Sequence, residues 1–338
     1  MKRQTPVIAV DPLNPEPKVI SRAARIIRGG GLVAFPTETV YGLGADALNP
    51  EAVRRIFVAK GRPLDNPIIV HVAEHGQLQV LADNIDAEAT ALAQRFWPGP
   101  LTLVLKKSAS VPDAVTAGQE TVAVRMPRNN VALALIRACG VPIAAPSANL
   151  SERPSATTAA HVFRDLGGKI DLILDAGPVE IGLESTVVDM SVRPRVILRP
   201  GAVAAEELQE VTGEVVLGGR GELLKRSPGT RHRHYSPRAR VTLVEEKAEQ
   251  AVVLLAEKHG REGKKTGIVT RRPDFYRNTD QVVVEVMPRD LKEYAKRMFA
   301  ALRGLDERGV DEIIVEEVEE EGMGVAIMDR LRRAASGK

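Results

Sequence analysis

Apolar side chains at Val19, Ile20, Ala23, Ala24, Ile26 and Ile27 recur with helical spacing over residues 18–28, and Gly29-Gly30-Gly31 ends the run. Residues 32–35 (Leu-Val-Ala-Phe) then read as a buried strand stopped by Pro36. Asn49 before Pro50 has the form of an N-cap followed by a first-turn proline, which predicts a helix running to about Lys60. Residues 68–72, 101–105, 121–125, 141–144, 171–174 and 186–189 carry strand composition, with helical stretches between several of them. The alternation predicts an α/β domain with a mixed sheet over residues 1–213.

The pattern changes after that. Residues 214–240 hold Gly218, Gly219, Gly221, Pro228, Gly229 and Pro237 among Arg226, Arg231, Arg233, Arg238 and Arg240. They read as a basic Gly/Pro-rich linker, of a length that is often functional. Residues 241–338 return to order. Strands are expected at 241–244, 267–270, 282–286 and 312–315, with helices ending near 259 and spanning 290–303 and 324–335. That is a small, Rossmann-like α/β domain. The acidic run 316–321 reads as a solvated face.

Composition adds bounds. A chain of 338 residues, 44% hydrophobic and 27% charged, is globular and long enough for two domains. The net charge of +3 permits an anionic partner without requiring one, and 3% aromatic content argues against a broad base-stacking platform. The single cysteine, Cys139, excludes an intrachain disulfide and reads as a buried core thiol, which suits a reducing compartment. Residues 1–3 lead into polar, proline-rich sequence, and the apolar stretch 131–148 is broken by Arg137 and two prolines. No targeting signal or membrane span is expected, and the expectation is a cytoplasmic protein.

The common nucleotide signatures are missing. Gly263-Lys264-Lys265-Thr266 is a near miss to a P-loop, no G-x-G-x-x-G opens a helix, and His232-x-His234 lacks the further ligands a metal site needs. Polar groups at strand ends are the remaining candidates. Lys60-Gly61-Arg62-Pro63 and Asn66-Pro67 form a stiff cationic turn, read as exposed, with either a solvated or a phosphate-binding role. Ala145-Pro146-Ser147-Ala148-Asn149 follows a buried strand, where open α/β sheets bind ligands, although such residues also cap helices. Arg125 ends an apolar strand and requires an anionic partner, structural or substrate. His71 sits inside another and reads by default as a core histidine; Glu184-Ser185-Thr186 and Arg199-Pro200-Gly201 are further polar ends.

Taken together and in order, residues 35–44 (Phe-Pro-Thr-Glu-Thr-Val-Tyr-Gly-Leu-Gly), Lys60-Gly61-Arg62-Pro63, Asn66-Pro67, the 145–149 stretch and Glu184-Ser185-Thr186 resemble the YrdC-like family over residues 15–210. Residues 227–237 and the C-terminal residues 322–331 resemble the long, two-domain form found among threonylcarbamoyl-AMP synthases. The resemblance implies a twisted, open sheet with a concave basic face. It implies an enzyme, a nucleotidyltransferase, that joins L-threonine, bicarbonate and ATP into L-threonylcarbamoyladenylate, pyrophosphate and water. That reaction is the first step toward threonylcarbamoyladenosine in tRNA.

Carried over by resemblance, Lys60, Arg62, Ser147 and Asn149 are the signature quartet. Arg62, Asn66, Thr121, Ser147, Ser155, Arg199 and Tyr235 would contact ATP. Thr39, His71, Arg125, Ala145 and Ser185 would hold threonine. Mg²⁺ would be held mainly by the phosphates, with no protein metal site, and the product would pass to a tRNA threonylcarbamoyl transferase complex. Tyr235 and the linker arginines would close over the nucleotide as a lid. Two other readings remain: an RNA- or tRNA-binding module acting through basic loops, and an enzyme that adenylates carbamate for a different acceptor.

Overall fold

The computed structural model describes residues 4–218, 235–245 and 247–336. The chain divides into two compact units: residues up to 231 without 152–154 and 181–183, and those two short pieces with 232–338. Among the described residues no helix is long and apolar enough to cross a membrane.

The first unit runs β1 (Val7–Ala9), α1 (Pro17–Arg28), β2 (Val33–Phe35), β3 (Gly42–Asp46), α2 (Pro50–Lys60), β4 (Ile69–His71), α3 (Leu78–Leu81), α4 (Ala87–Phe96), β5 (Leu101–Lys106) and α5 (Asp113–Thr116). It continues with β6 (Thr121–Arg125), α6 (Asn130–Cys139), β7 (Ile143–Ala144), α7 (Ala159–Leu166), β8 (Leu172–Asp175), β9 (Thr186–Asp189), β10 (Arg195–Arg199), α8 (Ala205–Thr212) and β11 (Val215–Leu217). The strands form one eleven-stranded mixed sheet in the order β1-β8-β2-β3-β7-β4-β6-β5-β9-β10-β11. The helix ends follow local chemistry. Asn49 caps α2 by accepting from the Glu51 and Ala52 amides, and Gly61 ends it in a left-handed conformation at φ 61°.

Alternation along the strands assigns the two faces of the sheet. Ala34, Leu43, Val70, Leu103, Val124 and Ala144 point to one side, where they pack with Ile56 of α2, Leu92 of α4, Val162 of α7 and Leu208 of α8. The other side is divided. Val33, Phe35, Ile143 and Ala145 pack against Ile27 of α1 and Leu135 of α6. Farther along, Ile69, Val104, Ala123, Val187, Val196 and Leu198 form a small cluster with no helical residue among those described. The helices therefore leave the β4–β6–β5–β9 part of this face to other groups. Cys139 is buried in α6, and burial pushes its thiol up to about 12, which suppresses the thiolate.

Two local expectations change. Pairing does not end for good at Pro36, because Gly42–Asp46 returns as a strand antiparallel to β2. Its glycines are packing residues: a Cβ on Gly44 would stand 2.7 Å from the Phe35 ring and 2.9 Å from Ile143. The segment read as linker from residue 214 begins with a strand, Val215–Leu217, paired parallel with Arg195–Ile197. A three-residue edge strand is too short to show in a hydrophobic pattern. Most of the linker motif, residues 219–234, lies outside the described residues.

The second unit contains β12 (Arg240–Val244), α9 (Glu249–Arg261), β13 (Thr266–Thr270), β14 (Val282–Val286), α10 (Leu291–Glu307), β15 (Glu312–Glu316) and α11 (Met323–Ala335). Its four-stranded sheet is ordered β12-β15-β13-β14 and all its pairs are parallel, the Rossmann-like layout. The acidic run is not wholly solvated. Glu316 ends β15 buried and accepts from the Thr270 and Tyr276 hydroxyls, both at 2.5 Å. A carboxylate at a buried strand end survives there because donors surround it.

Candidate active site

Lys60 closes α2, and Arg62 follows the left-handed Gly61. Both are buried, at 2% and 8% exposure, although Gly61 and residues 63–65 of the same turn are exposed as expected. The reason is a set of carbonyls that turn inward. The Lys60 ammonium donates to the backbone oxygens of Ser147 and Asn149, and the Ser151 amide donates back to the Lys60 carbonyl at 2.8 Å. Arg62 folds over its own turn, donating Nη2 to Pro67 O at 2.8 Å and Nε to Asn66 O at 3.3 Å. Buried cations are kept by such partners. The contacts join Lys60 to Ser147 and Asn149, and Arg62 to the fully buried Asn66.

The 145–149 stretch leaves β7 and stays tied to its neighbours. The Ala145 amide donates to Ile69 O at 2.9 Å, Leu43 N donates to Pro146 O at 2.8 Å, and Ala148 N donates to Tyr41 O at 2.7 Å. Ser147 forms an isolated antiparallel bridge with Gly42. Residues 41–43 of the 35–44 motif thus brace the loop that carries Ser147 and Asn149.

A second group gathers at the ends of β4 and β6, where His71 and Arg125 are register partners. Arg125 donates Nη1 to Thr39 Oγ1 at 2.9 Å and Nε to Gly99 O at 3.1 Å. Its Nη2 lies 2.7 Å from Glu38 Oε2, and side-chain exposure is 4% for Arg125 and 1% for Glu38. The Nη2 contact is an ion pair too poorly aligned to be a hydrogen bond, so Nη2, both Glu38 oxygens and His71 Nδ1 are buried with no hydrogen-bond partner. Burial, and secondarily the Arg125 charge, depress His71 to about 3, so its imidazole is neutral. His71 keeps the core position that the strand pattern suggests by default, and Nδ1 is the ring nitrogen left without a partner.

Glu38 of the 35–44 motif is thus paired with Arg125 of β6. The only hint in sequence is an acid placed three residues beyond a buried strand.

Ser185 and Arg199 make a third group. Arg199 donates Nε to Ser185 O at 3.1 Å and Nη2 to Ser185 Oγ at 3.2 Å. Ser185 Oγ also lies 2.7 Å from Thr102 Oγ1 on β5, a residue that the sequence did not single out. Its polar place in an apolar strand is the signal. Ser155 donates to Glu184, and Gly201 leaves the 184–186 turn no slack, since a Cβ there would sit 2.3 Å from the Thr186 amide nitrogen. Thr121 begins β6, half-buried. By strand alternation Thr102, Thr121, Arg125 and His71 share the side of the sheet with the small Ile69–Val104–Ala123 cluster.

Tyr235 belongs to the second unit. It is buried there at φ 65°, stacked on Phe299 with ring centroids 5.3 Å apart, and the Arg330 guanidinium lies 5.6 Å from its ring centre. Among the described residues no group of three or more His, Cys, Asp or Glu is placed to hold a metal.

Together these features define an α/β sheet with a cluster of buried polar side chains on one face, followed by a Rossmann-like companion. Residues 25–201 match the Sua5–YciO–YrdC family, described as telomere recombination, and residues 203–336 match the family described as threonylcarbamoyl-AMP synthase, C-terminal domain. The threonylcarbamoyl-AMP synthase of Pyrococcus abyssi is 50% identical over 93% of this chain and 93% of its own. That of Bacillus subtilis is 44% identical over 98% and 97%.

A crystal structure of P. abyssi Sua5 complexed with L-threonine superposes at TM-score 0.92 with 48% identity, covering 98% of each chain. Escherichia coli YciO, at TM-score 0.54 and 26% identity, covers 61% of this chain and 99% of its own. The chain belongs to the Sua5–YciO–YrdC family, and carries the C-terminal domain of that family's threonylcarbamoyl-AMP synthases.

Proposed function

We propose that this chain is a threonylcarbamoyl-AMP synthase, converting L-threonine, bicarbonate and ATP into L-threonylcarbamoyladenylate, pyrophosphate and water. The observation that carries the reading is the set of buried polar atoms without hydrogen-bond partners at Glu38, His71 and Arg125, in the same unit as the Lys60–Ser147–Asn149 cluster. Buried polar atoms without partners mark a place that a polar ligand fills.

The reacting groups are anions, so the protein's task is placement and charge compensation rather than covalent catalysis. The threonine amine takes up carbon dioxide or bicarbonate to form a carbamate. A carbamate oxygen attacks the α-phosphorus, and pyrophosphate leaves. In this reading Arg125 pairs with the threonine carboxylate, while Thr39, Ser185 and the Ala145 backbone surround the amino acid. Neutral His71 has a nitrogen to offer the threonine hydroxyl. Arg62, Asn66, Thr121, Ser147, Ser155 and Arg199 line the nucleotide.

Lys60 shapes the 147–149 loop and sets a cation beside the phosphoryl oxygens. Mg²⁺ held by the ATP phosphates would help offset the charge on pyrophosphate. The product is a labile mixed anhydride, which a cytoplasmic tRNA threonylcarbamoyl transferase complex would consume.

The test follows pyrophosphate release with ATP, Mg²⁺ and each amino acid in turn, with and without bicarbonate. Release that depends on both threonine and bicarbonate is expected. Release indifferent to threonine overturns the proposal.

A further inference from the structure

We infer that Glu38 receives the α-ammonium of the amino-acid substrate, so that the site recognises a zwitterion with a matched pair of charges. The inference rests on the threonine-and-ATP reading and adds a residue to it. Glu38 is 1% exposed, and neither of its oxygens has a hydrogen-bond donor. A carboxylate buried in this way is costly unless a cation and donors are supplied.

Arg125 supplies charge at 2.7 Å but no aligned N–H. Nor is Glu38 needed to orient Arg125, because Gly99 O and Thr39 Oγ1 already fix the guanidinium through Nε and Nη1. An arginine–carboxylate pair that served only structure would form the aligned, usually bidentate contact that such pairs favour. What remains open is one cationic donor at Arg125 Nη2, one anionic acceptor at Glu38 and one neutral ring nitrogen at His71. Those are the complements of a carboxylate, an ammonium and a hydroxyl: a hydroxy amino acid.

The experiment uses the full chain and pyrophosphate-release kinetics. The probe is 2,3-dihydroxybutanoate of threonine's configuration, in which a hydroxyl replaces the ammonium. In the unaltered protein it is expected to compete with threonine about tenfold or more weaker than threonine binds, the range set by one charge-assisted hydrogen bond. Glu38→Gln keeps the shape and removes the charge. It is expected to raise KM for threonine roughly 10- to 100-fold, to hold KM for ATP within about twofold, and to bring the two ligands to near-equal affinity.

Glu38→Asp retains the charge and is expected to preserve the preference for the ammonium at reduced affinity. Should Glu38→Gln fail to fold, Glu38→Asp and the unaltered protein still decide. Equal binding of the two ligands by the unaltered protein overturns the inference, as does loss of the preference in a folded Glu38→Asp. An unchanged preference in Glu38→Gln also overturns it, and with threonine-dependent release intact it leaves the synthase reading standing. Release that never depends on threonine removes that reading first.

Discussion

Replacing Lys60 by methionine removes a buried ammonium while keeping most of its volume. In the folded chain that ammonium donates to the Ser147 and Asn149 carbonyls. Each carbonyl left unsatisfied costs about 1–3 kcal/mol, or about 2–6 kcal/mol for the two. Relief of the cost of burying the cation offsets part of this, so a net loss of about 2–3 kcal/mol is expected. In a unit of this size that lowers Tm by roughly 4–12 °C. The measurement is thermal and urea unfolding of the ligand-free chain. Lys18→Met on the exposed side of α1 is the control, expected within about 0.5 kcal/mol of the parent. Lys60→Arg keeps a charge and should recover part of the loss. Pyrophosphate release should fall for both Lys60 variants, more for methionine. A Lys60→Met protein melting within about one degree of the parent would refute the buried clamp, and would restore the solvated cationic turn that residue types alone suggest.

Other substitutions probe the rest of the site. Gly201→Ala forces a Cβ to within 2.3 Å of the Thr186 amide nitrogen and 2.7 Å of the Glu184 carbonyl, so the 184–186 turn must shift. Weaker threonine binding and a stability loss of about 1–3 kcal/mol are expected, and unchanged KM and Tm would count against that packing. His71 is held neutral to about pH 3, whereas the unfolded chain protonates it near 6.5. The unfolded state therefore binds the extra proton between those values, and stability present above pH 6.5 is lost as pH falls, at about 1.4 kcal/mol per unit. Urea titrations at pH 7, 6 and 5 should show His71→Asn losing less on acidification than the parent, and parallel losses would contradict the assignment. Tyr235→Leu gives up the Phe299 stack and the Arg330 contact, about 1–3 kcal/mol of the second unit's stability. Amide exchange in α10 and α11 should rise, and unchanged exchange would deny Tyr235 this anchoring role.

The long, periodic elements were legible from pattern alone. Helix α2 announces itself by Asn49-Pro50 and ends at Gly61, where the sequence places its turn. The second unit's strand–helix alternation likewise predicts its parallel sheet. The edge strands β1 and β11 and the glycine-bearing β3 were not legible, the first two because they are short and marginal to the sheet, the third because its glycines give no apolar alternation. Lys60 and Arg62 were misplaced for a different reason. Residue type favours solvent for both, and nothing local reveals that carbonyls from residues 66–67 and from the distant 147–149 loop turn inward to meet them. Glu38 was obscured in the same way, since its partner Arg125 is far along the chain and joins it only through the sheet.

One signal lay within the strands themselves. In β4, β5 and β6 the positions facing α2 and α4 are uniformly apolar: Val70, Leu101, Leu103, Leu105, Val122 and Val124. The alternate positions mix apolar Ile69, Val104 and Ala123 with polar His71, Thr102, Thr121 and Arg125. A strand with helices on both sides has no use for polar groups at period two, and a strand facing open solvent would not bury them. Buried polar residues confined to one parity therefore mark a face meant to be completed by something other than helices. Arg125 and His71 stand at the strand ends of that face, where hydrogen-bonding groups meet the loops. The buried polar face is thus written as a break in the alternation of apolar strands, and Gly44 of the 35–44 motif lets Phe35 and Ile143 close up beside it.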